Sequence, residues 1–240
     1  MPRCLIALGG NLGPVHETFA AALRQLDAEP DSRVLRSSSI HHSAPIGDRA
    51  GAEFRNAAAE IETDLPPLDL LDRLRAIETG LGRTRDLRWG PRTLDLDLIT
   101  YGSEIIDLPR LRVPHPACWY RRFVLDPVVE IAADTFHPDK GVTFGRLRAR
   151  LLERPLRCGF CGADHNARTQ LIGALQPHVP EAVLTHWEPG DPDAALLAWL
   201  GPDSDAPEFA SLPRVPRLDA SAEPQPADFL RYALFAALGR

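Results

Sequence analysis

The residues best able to do chemistry are gathered between Arg88 and Gly102, in the run RWGPRTLDLDLITYG. From Leu94 to Leu98 leucine alternates with aspartate, and in a β-strand residues two apart share a face. Asp95 and Asp97 are therefore expected on one face of a strand, with Leu94, Leu96 and Leu98 on the other. Neighbouring carboxylates on a rigid strand repel each other unless positive charge stands between them. A hard divalent cation such as Mg²⁺ answers that need, because it takes oxygen ligands and joins carboxylates to phosphate groups. Arg88 and Arg92, just upstream, suit phosphate oxygens, which a guanidinium grips through two parallel hydrogen bonds. An ordinary strand with one wet face shows the same alternation, but it has no use for the Trp89, Gly90, Pro91 and Arg92 that precede this one.

A strand bearing such a pair must be held in place by others. Arg3 to Leu8 reads as a buried first strand, closed by Gly9, Gly10, Asn11, Leu12 and Gly13. Phe19, Ala22, Leu23 and Leu26 mark the apolar stripe of a helix over 15–26. A second strand is expected over 34–41, a loop over 43–53 around Pro45, Gly47 and Gly51, and a third strand over 56–63. Pro66 and Pro67 open a helix that runs to Gly80 with Leu70, Leu71, Leu74 and Ile77 inward. An arginine-rich loop over 82–91 then leads into the aspartate-bearing strand, 93–101. Pro109, Pro114 and Pro116 punctuate a turn region, and helices follow over 123–131, despite Pro127, and over 145–152. The order β-α-β-β-α-β predicts an α+β fold, a ferredoxin-like α/β sandwich with an antiparallel sheet.

The chain of 240 residues has room for such a domain and an appendage. It has no stretch of about 18 apolar residues, so no transmembrane helix is expected. The apolar run before Gly9 is too short for a secretory leader. Four scattered cysteines (Cys4, Cys118, Cys158 and Cys161) do not make a disulfide framework, and the expectation is a cytoplasmic protein. Through Arg157 the chain carries 22 basic and 22 acidic side chains; 5 basic and 11 acidic ones follow, so the whole net charge of −6 lies in the tail. Nothing in this distribution suggests a nucleic-acid-binding stripe or a polybasic membrane patch. Oligomeric state is not legible.

The string RWGPRTLDLD closely resembles the signature of the 6-hydroxymethyl-7,8-dihydropterin pyrophosphokinases, and the order and spacing of further segments over residues 3–157 match the same family. The resemblance implies transfer of a pyrophosphoryl group from ATP to the pterin's hydroxymethyl oxygen with release of AMP, a step of folate biosynthesis. It implies that Asp95 and Asp97 hold two Mg²⁺ ions. It further implies that Arg83, Arg85 and Arg92 contact phosphates, with Arg83 and Arg85 on a mobile loop, that His115, Arg121 and Arg110 serve the nucleotide, and that Trp89 closes over the site. On the pterin side it implies two sandwiching rings, Phe54 and Phe123, an edge contact from Asn56 in FRNAA, and backbone groups of Ser43, Ala44 and Ile46. The chain departs from the family pattern at Gly10, where serine is common, at Phe54, where some members carry tyrosine, at Arg112, where a small hydroxyl residue is familiar, and at Pro116, where an aromatic is. Two rival expectations differ in class: a non-catalytic pterin- or nucleotide-binding relative, and a bifunctional chain with a second role in its tail.

The resemblance does not extend to residues 158–240, and the chain divides on this reading into 1–157 and 158–240. Cys158, Cys161 and His165 have the spacing of half a zinc site, with His178 or His186 to complete it; the alternative is two unpaired thiols near a turn. Strands are expected over 157–160 and 182–185, helices over 167–175, 193–200 and 229–238, and a further strand over 213–218, which together suggest a small α/β module. The turn over 159–169 lacks the lysine of a phosphate-binding loop, and an interaction or degenerate module is the preferred reading. Residues 203–207 and 220–226, rich in acid, proline and small side chains, are expected to be disordered.

Overall fold

The computed structural model describes residues 1–45, 51–83, 91–192, 194–201 and 207–240. It forms two compact units, Met1–Arg148 with Gly239–Arg240, and Ala149–Leu238.

In the first unit β1 (Arg3–Gly10), α1 (Val15–Asp27), β2 (Ser32–Ser37), β3 (His41–Ser43), β4 (Phe54–Thr63), α2 (Pro67–Gly80) and β5 (Asp95–Tyr101) follow in order. The sheet runs β2-β4-β1-β5, with β3 also on β4, and every pairing is antiparallel. The expected α+β sandwich with an antiparallel sheet is what the chain adopts. Alternation decides the layers. Cys4, Ile6, Leu8, Ala57, Ala59, Ile61, Leu96 and Leu98 form one core cluster with Phe19, Leu26, Leu70, Leu74 and Ile77 of the two helices. Each leucine buried there contributes about 2 kcal/mol relative to exposure. The opposite face presents Ala7, Gly9, Asn56, Asp95 and Asp97, in a register that sets Gly9 beside both Asn56 and Asp95 and Ala7 beside Asp97. A small hairpin, β6 (Ile106–Leu108) and β7 (Leu111–Val113), precedes α3 (Arg122–Ala132), which packs on β4, β3 and β1. Pro127 lies inside α3 and is buried, as expected.

The strand expected over 34–41 is broken in two. In the serine run Ser37-Ser38-Ser39, the Ser38 hydroxyl accepts from the Ala58 amide at 2.9 Å, a local side-chain bond that competes with the ladder.

After α4 (Phe144–Leu152), the second unit is built from β8 (Leu156–Cys161), α5 (His165–Leu175), β9 (Ala182–His186), β10 (Leu196–Trp199), α6 (Pro207–Ser211), β11 (Arg217–Asp219) and α7 (Pro226–Leu238). All its strands are parallel, in the order β11-β10-β8-β9, a doubly wound α/β arrangement. The α/β expectation for the tail holds, but three details are corrected. Residues 193–200, expected as a helix, hold β10. Leu196, Leu197, Ala198 and Trp199 are all buried, and an apolar run with both faces covered is the pattern of a central parallel strand, which periodicity cannot distinguish from a buried helix. The strand expected over 213–218 is shorter and later, because Pro213 and Pro216 cannot donate to a ladder. Residues 220–226 form an ordered turn, in which the buried Ala220 donates to Trp199 O at 2.9 Å. Residues 203–206 lie outside the described residues.

Candidate active site

The face of the first sheet that bears the two aspartates opens on a cavity of about 120 Å³. Its walls include Gly9, Ser43, Ala44, Phe54, Asn56, Arg92, Asp95, Asp97, Arg121 and Phe123. Four stretches far apart in sequence, around Gly9, over 43–56, over 92–97 and over 121–123, thus meet there, and small residues on β1 leave the space into which the two carboxylates face.

Each wall is fixed by identifiable bonds. Asn56 donates from Nδ2 to Ser43 Oγ at 2.9 Å, joining β4 to β3. The backbone of Arg92 is clamped by Asn11: its N–H donates to Asn11 Oδ1 at 2.8 Å, and its carbonyl accepts from the Asn11 and Leu12 amides at 2.9 and 3.0 Å. Asn11 Nδ2 also donates to Ala52 O at 3.0 Å. Arg121 stands directly before α3, with its guanidinium 5.6 Å from the Phe123 ring centroid. His115 is held by its amide, which donates to Ile99 O at 3.0 Å, and its Nδ1 accepts from the Ala117 amide at 3.2 Å. A neutral His115 therefore carries its proton on Nε2.

Charge is dense here. Arg92 Nη1 pairs with Asp95 Oδ2, and Arg83 Nη1 reaches Asp95 Oδ1 at 2.6 Å. Arg83 also pairs with the buried Glu78, whose Oε1 accepts the Leu96 amide at 2.7 Å. Burial first, and Asp95 second, push the Asp97 carboxyl above the usual carboxylate range, against the pull of His115, Arg121 and Arg83. Burial holds His115 below the usual imidazole range; Asp97 pulls the other way.

Arg110 is not brought to the cavity. It lies at the turn of the β6–β7 hairpin and pairs with Asp72 of α2. Ile46, Arg85 and Trp89 lie outside the described residues, as does Arg88. Two further residues belong to the arrangement although neither is among the site residues expected from the sequence. Asn11 reads only as part of a closing turn, yet it organises the Arg92 loop. Glu78 carried a usable signal: it falls four residues after Leu74 and seven after Leu71, on the apolar stripe of α2, where a carboxylate must have a partner. Of the two readings of Cys158, Cys161 and His165, the half zinc site lacks the geometry it would need. The two cysteines are three apart in β8 and face opposite sides, and the His165 ring stacks on His186 with centroids 4.1 Å apart. Among the described residues no group of three or more His, Cys, Asp or Glu side chains is placed to hold a metal ion.

Comparison with known proteins identifies the family. The family model described as 7,8-dihydro-6-hydroxymethylpterin-pyrophosphokinase matches residues 5–133. The chain is 47% identical over 137 residues to the 2-amino-4-hydroxy-6-hydroxymethyldihydropteridine pyrophosphokinase of Pseudomonas aeruginosa, a match that covers 57% of this chain and 85% of that enzyme. It is 44% identical over 142 residues to the enzyme of the same name from Haemophilus influenzae, covering 59% and 89%. A crystal structure of a Plasmodium falciparum HPPK-DHPS triple mutant is similar in fold, with a TM-score of 0.50 at 10% identity over 84% of this chain and 56% of that one.

Proposed function

Because the chain belongs to the 7,8-dihydro-6-hydroxymethylpterin-pyrophosphokinase family and transfers pyrophosphate from ATP to 6-hydroxymethyl-7,8-dihydropterin with release of AMP, in folate biosynthesis, we propose that its two substrates meet in the cavity faced by Asp95 and Asp97. The observation that carries this reading is the convergence on one wall of two carboxylates, two guanidiniums, an amide and two aromatic rings.

On this reading Phe54 and Phe123 flank the flat heterocycle, Asn56 binds its edge, and backbone groups of Ser43, Ala44 and Ile46 complete the polar contacts. Arg83, Arg92 and Arg121 neutralise charge on the triphosphate, and His115 donates from Nε2 to a phosphate oxygen. Arg85 and Trp89 are assigned to the ATP side on family resemblance alone. Arg110 joins them only by leaving Asp72. The hydroxymethyl oxygen forms a bond to the β-phosphorus as the bond from that phosphorus to the α-phosphate's bridging oxygen breaks. The hydroxyl proton is lost and AMP leaves. Side chains that fix both substrates in line convert a collision into an encounter within one site.

The donor set fits Mg²⁺: two carboxylates on one strand face, opposite Ala7 and Gly9 and beside phosphate-binding arginines. Asp95 and Asp97 would hold two such ions. When bound, these supply Lewis acidity toward the phosphate oxygens.

The family reading assigns pterin chemistry to residues 1–157 and leaves 158–240 as an extension to which it gives no role. Among the described residues no helix is long and apolar enough to cross a membrane. All four cysteines are buried free thiols, which supports a cytoplasmic location. The experiment is AMP release from ATP and Mg²⁺, with and without pterin, in the unaltered chain, in Asp95→Asn and in residues 1–157 alone. Pterin-dependent AMP in the first and third and its loss in the second are expected. Undiminished turnover by Asp95→Asn would remove the acidic pair from the reaction.

A further inference from the structure

Asp95 is engaged on both oxygens, Oδ1 by Arg83 at 2.6 Å and Oδ2 by Arg92. Among the described residues Asp97 makes no ion pair. The two arginines are anchored differently. Arg92 is three residues from Asp95 on a backbone clamped at N–H and C=O by Asn11. Arg83 follows Gly82, a glycine at φ 87°, just beyond the end of α2, and its guanidinium is shared between Asp95 and Glu78. Glu78 is fixed independently: it is 2% exposed and its Oε1 holds the Leu96 amide of β5 at 2.7 Å.

We propose that Arg83 is the resident counter-cation of Asp95, and that a divalent ion enters the acidic pair by exchange with it, while Glu78 keeps the released guanidinium beside the site. The inference rests on the reading of Asp95 and Asp97 as metal ligands and adds a regulation of that site. A guanidinium and a divalent ion compete for the same oxygen, because each is stabilised by its negative charge and each repels the other. Arg83 is the partner that can leave, since Glu78 remains to pair with it. Arg92, held at its backbone, stays. Asp95 is thereby kept neutralised until the ion binds, and a phosphate-binding side chain becomes available only as metal arrives.

The test uses the full chain without nucleotide, titrated with Mn²⁺ and followed by the paramagnetic resonance of the free ion. Arg83→Gln is expected to bind Mn²⁺ about tenfold more tightly than the unaltered protein, the lower end of what an adjacent opposite charge does to a carboxylate. Arg3→Gln, which removes the same charge from the exposed Arg3–Glu62 pair, controls for net charge and is expected to stay within about twofold, as for a screened surface charge. Equal affinities for the two variants would overturn the exchange. Loss of Mn²⁺ binding in Asp97→Asn separates the two levels: if binding is lost there but Arg83→Gln matches Arg3→Gln, the metal reading stands and the exchange fails. If Asp97→Asn binds like the unaltered protein, both fall. Should Arg83→Gln not fold, the unaltered protein decides. Saturating Mg²⁺ must shift the Nε–H resonance of Arg83 in a nitrogen-15 spectrum, and an unmoved resonance refutes the exchange.

Discussion

The Asn56 side chain donates from Nδ2 to Ser43 Oγ across 2.9 Å, and both residues are buried. This one bond sets the amide's orientation, so that its acceptor, Oδ1, lies on the side of Gly9, within the cavity wall. In the pterin-binding role proposed for it, an asparagine so held would read a donor edge of a planar heterocycle and refuse an acceptor edge.

Asn56→Ala is therefore expected to weaken pterin binding by about 10- to 100-fold, the cost of leaving a donor unpaired in a dry site. Ser43→Ala leaves Asn56 in place but frees it to turn, and about a three- to tenfold loss is expected. Fluorescence titration with the pterin measures both, and ATP-analogue affinity is the control. A Ser43→Ala protein with undiminished pterin affinity would show that packing alone orients the amide.

Asp97→Asn is expected to lower turnover by at least about 100-fold and at the same time to raise the melting temperature. The two effects share one cause. Burial and the neighbouring Asp95 push the Asp97 carboxyl up, so the fold carries its charge at a cost that a neutral amide does not incur. A gain of about 1 kcal/mol is the expected size. Calorimetry of the metal-free protein checks the sign, and a lower melting temperature would mean that the guanidiniums around the site already compensate the charge in full.

How much of this was legible in the sequence depends on which force decided each element. The D-L-D-L alternation placed Asp95 and Asp97 on one face because strand geometry leaves no choice, and RWGPRTLDLD carried the family. The helices α1 and α2 followed from apolar stripes on one side of each. Where burial is two-sided, the pattern loses its meaning, and β10 has the periodicity of a buried helix for that reason. The roles of Glu78 and Asn11 come from partners 18 and 81 positions away, Leu96 and Arg92, which only the folded sheet brings close. The same holds for Arg110, whose pairing with Asp72 no spacing rule foretells.

His137 gives the first unit an acid-sensitive point. It is 3% exposed, lies between the Trp119 and Phe144 rings with centroids 6.3 and 5.8 Å away, and its Nδ1 has no hydrogen-bond partner among the described residues. Burial, and Lys140 after it, hold its pKa down to about 4 from the ordinary 6.5. The unfolded chain thus takes up the proton first as pH falls. The stability this neutral ring contributes is complete above about pH 6.5 and is lost progressively toward pH 4. Between pH 7 and 5 the loss is about 2 kcal/mol. Denaturant midpoints at the two pH values should differ by that much more in the unaltered protein than in His137→Phe, and equal differences would place the acid sensitivity elsewhere.

Gly162 tests whether the second unit has a stability of its own. It follows β8 with φ 89°, a conformation that disfavours side chains, and a Cβ there would lie 2.6 Å from the Gly201 amide nitrogen and 2.7 Å from the Trp199 ring. Neither obstacle is a flexible side-chain end, so Gly162→Ala meets both strain and overpacking and should cost the second unit about 2–4 kcal/mol. The doubly wound sheet places this glycine where β8 and β10 end side by side, so the damage should register first in those two strands. Hydrogen exchange is expected to show lost protection over 156–161 and 196–199 with β1 and β4 unchanged, and pterin-dependent AMP formation is expected to persist. Protection that falls equally in β1 and β4 would mean that the two units unfold as one, and that residues 158–240 are part of the enzyme's stability and not a separable module.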